Sequence, residues 1–284
     1  MQKSLFALSV SFLLGIFFPL TCHAWNAVGH ILVARIAYDQ LKPDVRTKVD
    51  KIVQDLAYEY PKIINFTQIA SWPDELRAQK IESFTHWHYI NNAFSDDNTP
   101  VKNINDTDNV VWAIGEIEPV VKNNKANSFE RARFIAFLVH LVGDIHQPLH
   151  TVSRITAAHP DGDRGGNLFV IKLPVKRTQT TNLHHIWDDG LGLFDGELNA
   201  ENMNRLEDEI TTLYSPQFFG EEINDLNPQD WAVEGMKLST TFVYNTSENQ
   251  YPNTEYISTG QQIVKQKIAL AGYRLAALLN QLLA

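Results

Sequence analysis

The chain has 284 residues, a single cysteine, a formal net charge of -9 at pH 7, and 44% hydrophobic against 20% charged side chains. One cysteine excludes an internal disulfide. The acidic balance argues against a broad basic nucleic-acid groove.

Residues 1–24 read as a cleaved secretory leader. Lys3 supplies the positive n-region, Leu5 to Leu20 an apolar h-region, and Cys22-His23-Ala24 a small-residue cleavage site. The apolar run is shorter than the about 20 residues that a membrane-spanning helix needs. Pro19, Leu20 and Thr21 make a poor lipobox before Cys22. Cleavage after Ala24 leaves a secreted or periplasmic chain with no cysteine, and loss of Lys3 takes the formal charge from -9 to -10. Metal ions can staple a fold that lacks disulfides.

The remaining residues, 25–284, contain no repeat, low-complexity tract or Pro/Gly/Ser linker, and no second apolar span. A single domain is expected. Helical spacing dominates it. Val28 to Leu41 places Ile31, Leu32, Ile36 and Ala37 on one face, and Pro43 opens a second helix to about Leu56. Thr107 to Lys122 and Ser128 to Asp144 follow, the latter with Ser128 as N-cap. Asn199 to Tyr214, Ala232 to Tyr244 and Ile263 to Leu283 complete the helical set, and only Leu168 to Leu173 looks strand-like. Two long polar loops, Asn91 to Asp106 and Ser153 to Asn167, are of the length that often carries function. The fold class is therefore mainly α, with a small β element.

Good metal ligands punctuate this pattern. In HLVGDIHQPLH, His140 and Asp144 are four residues apart and share a helix face, and Pro148 lets His150 approach from a turn. NLHHIWDDG repeats the device with His184 and Asp188. SWPDELR and HWHYIN supply Asp74 and His88, and Trp25 and His30 form a fourth group at the processed terminus. Imidazole with carboxylate suits zinc. One catalytic zinc needs about three protein ligands, so these side chains point to two or three ions. A third ion requires a bridging carboxylate and the amine and carbonyl of Trp25, which form a five-membered chelate. A lone histidine on an apolar helix face is usually a satisfied core residue, but four such groups would each need a separate buried partner. His86, His146, His159 and His185 lack the carboxylate spacing and read as outer, loop or surface residues. Among them His146 is the best candidate to orient a ligand.

Trp25, GH at His30, SWPD, HYIN, HLVGDIHQPLH, RGGN and NLHHIWD together closely resemble the zinc-dependent single-strand nucleases and 3′-nucleotidases. Those enzymes belong to a superfamily shared with the bacterial zinc phospholipases C. The resemblance implies three Zn2+ ions in a helical phospholipase C/nuclease-like fold. It assigns Asp74, His88, His140 and Asp144 to one ion. His150, His184 and Asp188 would hold a second; the Trp25 amine and carbonyl, His30 and Asp144 would hold the third. It implies catalytic roles for Asp74, Arg77, Asp144 and Asn167. Substrate contacts would come from Arg77 and Asn167 at phosphate, Tyr89 as a base-stacking ring, and Asn91 at the base edge. Fungal members usually carry Asp at the Asn91 position, and an amide offers both donor and acceptor. The expected substrates are single-stranded DNA or RNA and 3′-mononucleotides, acted on by a monomer without a stable protein partner. Asp188, where the phospholipases use Glu, and Tyr89 weigh against the lipid reading. Arg77, Tyr89 and Asn167 weigh against a metal-storage protein. Asn65, Asn105 and Asn245 stand in glycosylation sequons.

Overall fold

The computed structural model describes residues 25–61, 63, 65–173 and 179–284. The expected leader and its cleavage site after Ala24 lie outside the described residues. The described chain is mainly α, as the helical spacing implies. Its helices are α1 (Ala27–Asp39), α2 (Pro43–Glu59), α3 (Trp72–Ala78), α4 (Val110–Lys122), α5 (Ser128–Ile145), α6 (Leu183–Asp188), α7 (Ala200–Leu213), α8 (Pro216–Phe219), α9 (Pro228–Leu238) and α10 (Thr254–Leu282). Four short strands accompany them: β1 (Asn92–Phe94), β2 (Val152–Arg154), β3 (Val170–Lys172) and β4 (Thr180–Asn182).

The last three turns of α5 are apolar apart from His140 and Asp144, and every residue from Ile135 to Ile145 is buried. A helix with no polar face belongs in the middle of a protein. Accordingly α5 packs against α1, α2, α3, α4, α9 and α10. One continuous buried cluster runs through α1, α2, α4, α5, α7, α9 and α10. His140 and Asp144 therefore sit on the element that the core holds most firmly.

Asparagine sets most helix starts. Asn26, Asn109, Asn127, Asn182, Asn199, Asn227 and Asn253 each accept first-turn amides at the heads of α1, α4, α5, α6, α7, α9 and α10. Such a cap contributes about 1 kcal/mol. This corrects several expected boundaries. Ser128 is the first helical residue of α5 and not its cap, because the Asn127 side chain already accepts from the Glu130 amide at 3.1 Å. Asn109 likewise starts α4 at Val110 and not at Thr107. Asn253 starts α10 at Thr254, well before Ile263. The helix expected over Ala232 to Tyr244 begins at Pro228 and ends at Leu238, followed by a π-turn, Ser239–Val243. The Ser239 hydroxyl in that turn donates to the Pro148 carbonyl at 3.0 Å.

The two long polar loops are partly strands. β1 and β2 pair in parallel, with Asn92 opposite Val152 and Phe94 opposite Arg154. The Ile90 amide extends this ladder to the His150 carbonyl at 2.8 Å. The strand-like run is shorter than expected: β3 pairs antiparallel with β4, with Val170 opposite Asn182. β4 runs straight into α6, whose cap Asn182 accepts from the His185 amide at 2.7 Å. No helix among the described residues is long and apolar enough to cross a membrane.

Candidate metal centre

The scattered ligand candidates converge into three groups that could hold a metal ion: His30 with His140 and Asp144, Asp74 with His88 and His140, and His150 with His184 and Asp188. All eight side chains are buried. Asp144 touches three imidazoles: His88 Nδ1 at 2.9 Å, His140 Nε2 at 3.3 Å and His30 Nε2 at 3.3 Å. Asp74 Oδ1 lies 3.7 Å from His140 Nε2 and 3.9 Å from His88 Nδ1. In the other group, His184 Nε2 is 3.5 Å from Asp188 Oδ2. Trp25 is fully buried, and the next residue is tied to this centre: the Asn26 amide donates to the Asp188 carbonyl at 2.9 Å.

Backbone carbonyls decide which ring nitrogens face the centre. His140 Nδ1 meets Ala70 O at 2.6 Å, His150 Nδ1 meets His88 O at 2.6 Å, and His184 Nδ1 meets Gly165 O at 2.7 Å. A carbonyl only accepts, so each Nδ1 carries a hydrogen and each Nε2 is the nitrogen turned toward the centre, a lone-pair donor wherever the ring is neutral. His150 Nε2 and His184 Nε2 then stand 3.1 Å apart, and with both rings neutral their lone pairs face each other. A cation between them removes that repulsion. Two nitrogens bound to one tetrahedral zinc at about 2.0–2.1 Å would stand roughly 3.3 Å apart. The His30 ring nitrogens, His88 Nε2 and Asp144 Oδ1 are buried without hydrogen-bond partners. Buried carboxylates in such number require compensating positive charge. The donor set therefore fits divalent cations.

Two glycines make room for the rings. A Cβ on Gly143 would come 2.8 Å from His30 Nδ1, and His30 stacks on His140 with centroids 3.9 Å apart. Gly165, at φ +62°, turns its carbonyl to His184, and a Cβ there would collide with the Leu149 carbonyl.

Without metal, the centre polarises its own protons. Burial, together with His140, pushes His30 down to about 3, and burial with His184 pushes His150 to about 3. Burial would also lower His140, but Asp144 and Asp74 outweigh it and raise that ring to about 9. Burial opposes ionisation of Asp144 as well, yet His140 and His88 hold it well below the usual carboxylate range.

Among the residues expected on the substrate side, Arg77 contacts a candidate ligand directly. Arg77 lies one helical turn beyond Asp74 on α3, with Nη1 3.8 Å from Asp74 Oδ1. Tyr89 follows His88, Asn91 precedes β1, and Asn167 closes the Gly165-Gly166 turn, where its amide donates to Arg164 O at 2.8 Å. All four are half-buried.

Three of the outer histidines lie apart from the candidate ligand groups. The hydrogen bonds of His146 go to Val142 O at 2.7 Å and Arg274 at 3.1 Å, and not directly to a candidate ligand. His185 does have a carboxylate four residues on, Asp189 at 3.3 Å, and His86 meets Asp108 at 3.0 Å; both rings are exposed, as expected of surface residues. The residue that does orient a ligand is Gln147. It is fully buried, donates from Nε2 to Asp188 Oδ1 at 2.7 Å, and accepts from the Leu149 amide at 2.6 Å. The signal in the sequence was its place between His146 and Pro148, inside the ligand run.

Residues 25–284 match a family model described as S1/P1 Nuclease. Nuclease S1 of Aspergillus oryzae is 26% identical, over 91% of this chain and 91% of its own length. Endonuclease 1 of Arabidopsis thaliana is 25% identical over 91% and 87%, and Nuclease P1 of Penicillium citrinum 25% over 91% and 97%.

Proposed function

This chain belongs to the S1/P1 nuclease family and is a nuclease acting on nucleic acids; from that premise we propose that it cleaves single-stranded DNA and RNA to 5′-mononucleotides and removes phosphate from 3′-mononucleotides, using three zinc ions. It works as a secreted or periplasmic monomer, one domain over 25–284, after loss of residues 1–24. Asp74, His88, His140 and Asp144 would hold one ion. His150, His184 and Asp188 would hold the second, and Trp25, His30 and Asp144 the third. The observation that carries this reading is the convergence of His150 Nε2 and His184 Nε2, 3.1 Å apart, with Asp188 in one buried group.

Bound there, zinc supplies water that ionises near pH 7 instead of about 15.7, and positive charge against the phosphate. The chain's own residues do the rest. Gln147 and the three carbonyls hold Asp188, His140, His150 and His184 in fixed orientations, so little reorganisation remains when charge develops at phosphorus. The Arg77 guanidinium offers paired N–H donors to phosphate oxygens. Asn167 adds an amide beside the same site. Tyr89 stacks a base, worth about 1–3 kcal/mol, and Asn91 presents donor and acceptor to its edge. Three zinc ions bring about +6 against about -3 from Asp74, Asp144 and Asp188. The site can thus be positive within an acidic body. A duplex must unstack a base before Tyr89 can reach it, so single strands are preferred. Matched single-stranded and duplex DNA, assayed with purified enzyme and with phosphatidylcholine alongside, test this. Faster cleavage of the single strand, with 5′-phosphate ends and no lipid hydrolysis, is expected; equal rates on the two DNAs would refute the stacking argument.

A further inference from the structure

His146 lies between Asp144 and His150 in the chain yet belongs to neither ligand group. Its ring is buried, and its Nδ1–H donates to Val142 O at 2.7 Å, which leaves Nε2 as an acceptor. Arg274, on α10, donates from Nη1 to that Nε2 at 3.1 Å. Arg274 is only 1% exposed. Its remaining donors are also engaged: Nη1 and Nη2 fork onto Glu234 at 3.0 and 2.7 Å, and Nε reaches the Glu222 carbonyl at 3.1 Å. Lys267 adds a second cation to Glu234 at 3.0 Å. Trp231 covers the assembly, 5.6 Å from the guanidinium and 5.1 Å from the His146 ring. A buried guanidinium tolerates its desolvation only when its donors are satisfied in one geometry, so this arrangement is stiff.

What it stiffens is the end of α5. His146 caps that helix, with its amide on Gly143 O at 3.2 Å, and its side chain returns to Val142 of the same turn. Asp144 stands in this turn. Gln147, the next residue, donates to Asp188, and His150 follows one turn later, its amide on Gln147 O at 2.9 Å. One seven-residue segment, Asp144 to His150, thus supplies Asp144 to the His30–His140 group and His150 to the His184–Asp188 group, and Arg274 grips its middle.

We infer that Arg274 is a positioning residue of the metal centre: by clamping His146 onto the last turn of α5 it fixes Asp144 and Gln147, and so holds the His140 group and the His150 group in register. This rests on the metal-dependent reading above. A purely structural ion pair would stabilise the fold without affecting metal retention.

The test uses the full chain loaded with zinc, comparing wild type with Arg274→Met, Arg274→Lys and a control, Lys265→Met. Lys265 is a similarly buried cation on the same helix, paired with Glu209 away from the centre. Two quantities are read on folded protein well below each Tm: zinc retention against a chelator, and hydrogen exchange of the Gln147 and Leu149 amides in metal-free protein. Arg274→Met should surrender zinc about 10-fold more readily, the lower end of what orienting partners contribute, and its two amides should exchange faster. Lys265→Met should change neither. Arg274→Lys should recover part of the loss, since one ammonium cannot make the fork onto Glu234 and also reach His146. A folded Arg274→Met with a lowered Tm but wild-type zinc retention and exchange would overturn the inference. If Arg274→Met does not fold, Glu234→Gln breaks one arm of the fork; a few-fold loss of retention with faster exchange supports the clamp, and no change in either overturns it. Wild type that holds no zinc at all would refute the proposed function instead, and the exchange comparison would still decide the clamp.

Discussion

The ligand group around His140 and Asp144 and the group around His150, His184 and Asp188 use the same chemistry on different supports. The first stands on α5, the helix buried on every side, with α1, α3 and the turn before Tyr89 closing in. The second stands on a 3-10 turn, a two-stranded hairpin and the short helix α6. Core packing therefore fixes the first group. A few polar contacts fix the second: Gln147 to Asp188, His88 O to His150 and Gly165 O to His184. Steric changes should injure the first group, and single hydrogen-bond deletions the second.

Asp144→Asn should have the largest effect, because Asp144 touches His30, His88 and His140 at once. Zinc at two positions should be lost, and activity should fall by more than the about 10–100-fold typical of an orienting partner. His150→Ala should lose zinc at one position only. Equal residual zinc in the two variants would contradict the bridging role. Gln147→Leu comes next. It should weaken zinc binding in the second group by about 10–100-fold and leave the first intact, as cadmium or cobalt titration would resolve. Gly143→Ala is the converse, since the added methyl meets His30 at 2.8 Å. It should cost about 1–3 kcal/mol of stability and disturb the first group alone, measured by denaturant titration and metal analysis. The smallest effect belongs to the support that both groups share. Burial would raise Glu234, but Arg274 and Lys267 outweigh it and take it from 4.5 down to about 2. A depressed carboxylate stabilises above its unfolded pKa and loses that contribution as pH falls through its folded one. Because Glu234 is about one-third exposed and solvent screens the pair, Glu234→Gln should destabilise the protein by only about 1–2 kcal/mol above pH 4.5, with the difference closing toward pH 2. A difference independent of pH between 2 and 6 would count against that ion pair.

Periodicity made the candidate ligands legible. His140 with Asp144 and His184 with Asp188 announce themselves because four residues make about one helical turn. The supports were hidden because they depend on distant backbone. No local pattern says that Ala70, His88 and Gly165 will turn carbonyls toward three imidazoles. The pairing of β1 with β2 joins two loops that read as unstructured, since three-residue strands carry too little alternation to register. Helix ends moved because asparagine took the cap positions of α4 and α5, at Asn109 beyond the expected start at Thr107 and at Asn127 before the expected cap Ser128. Arg274 lies 128 residues from His146 and looks like one more charge on an amphipathic helix until the fold brings them together.

The central claim is that buried imidazoles and carboxylates converge to hold metal ions that the reaction needs. Metal analysis of protein beginning at Trp25, coupled to cleavage of single-stranded DNA before and after chelation, tests it most directly. Three zinc ions per chain, with activity lost on chelation and regained with zinc, is the predicted result; full cleavage by protein that carries no bound zinc would contradict the account.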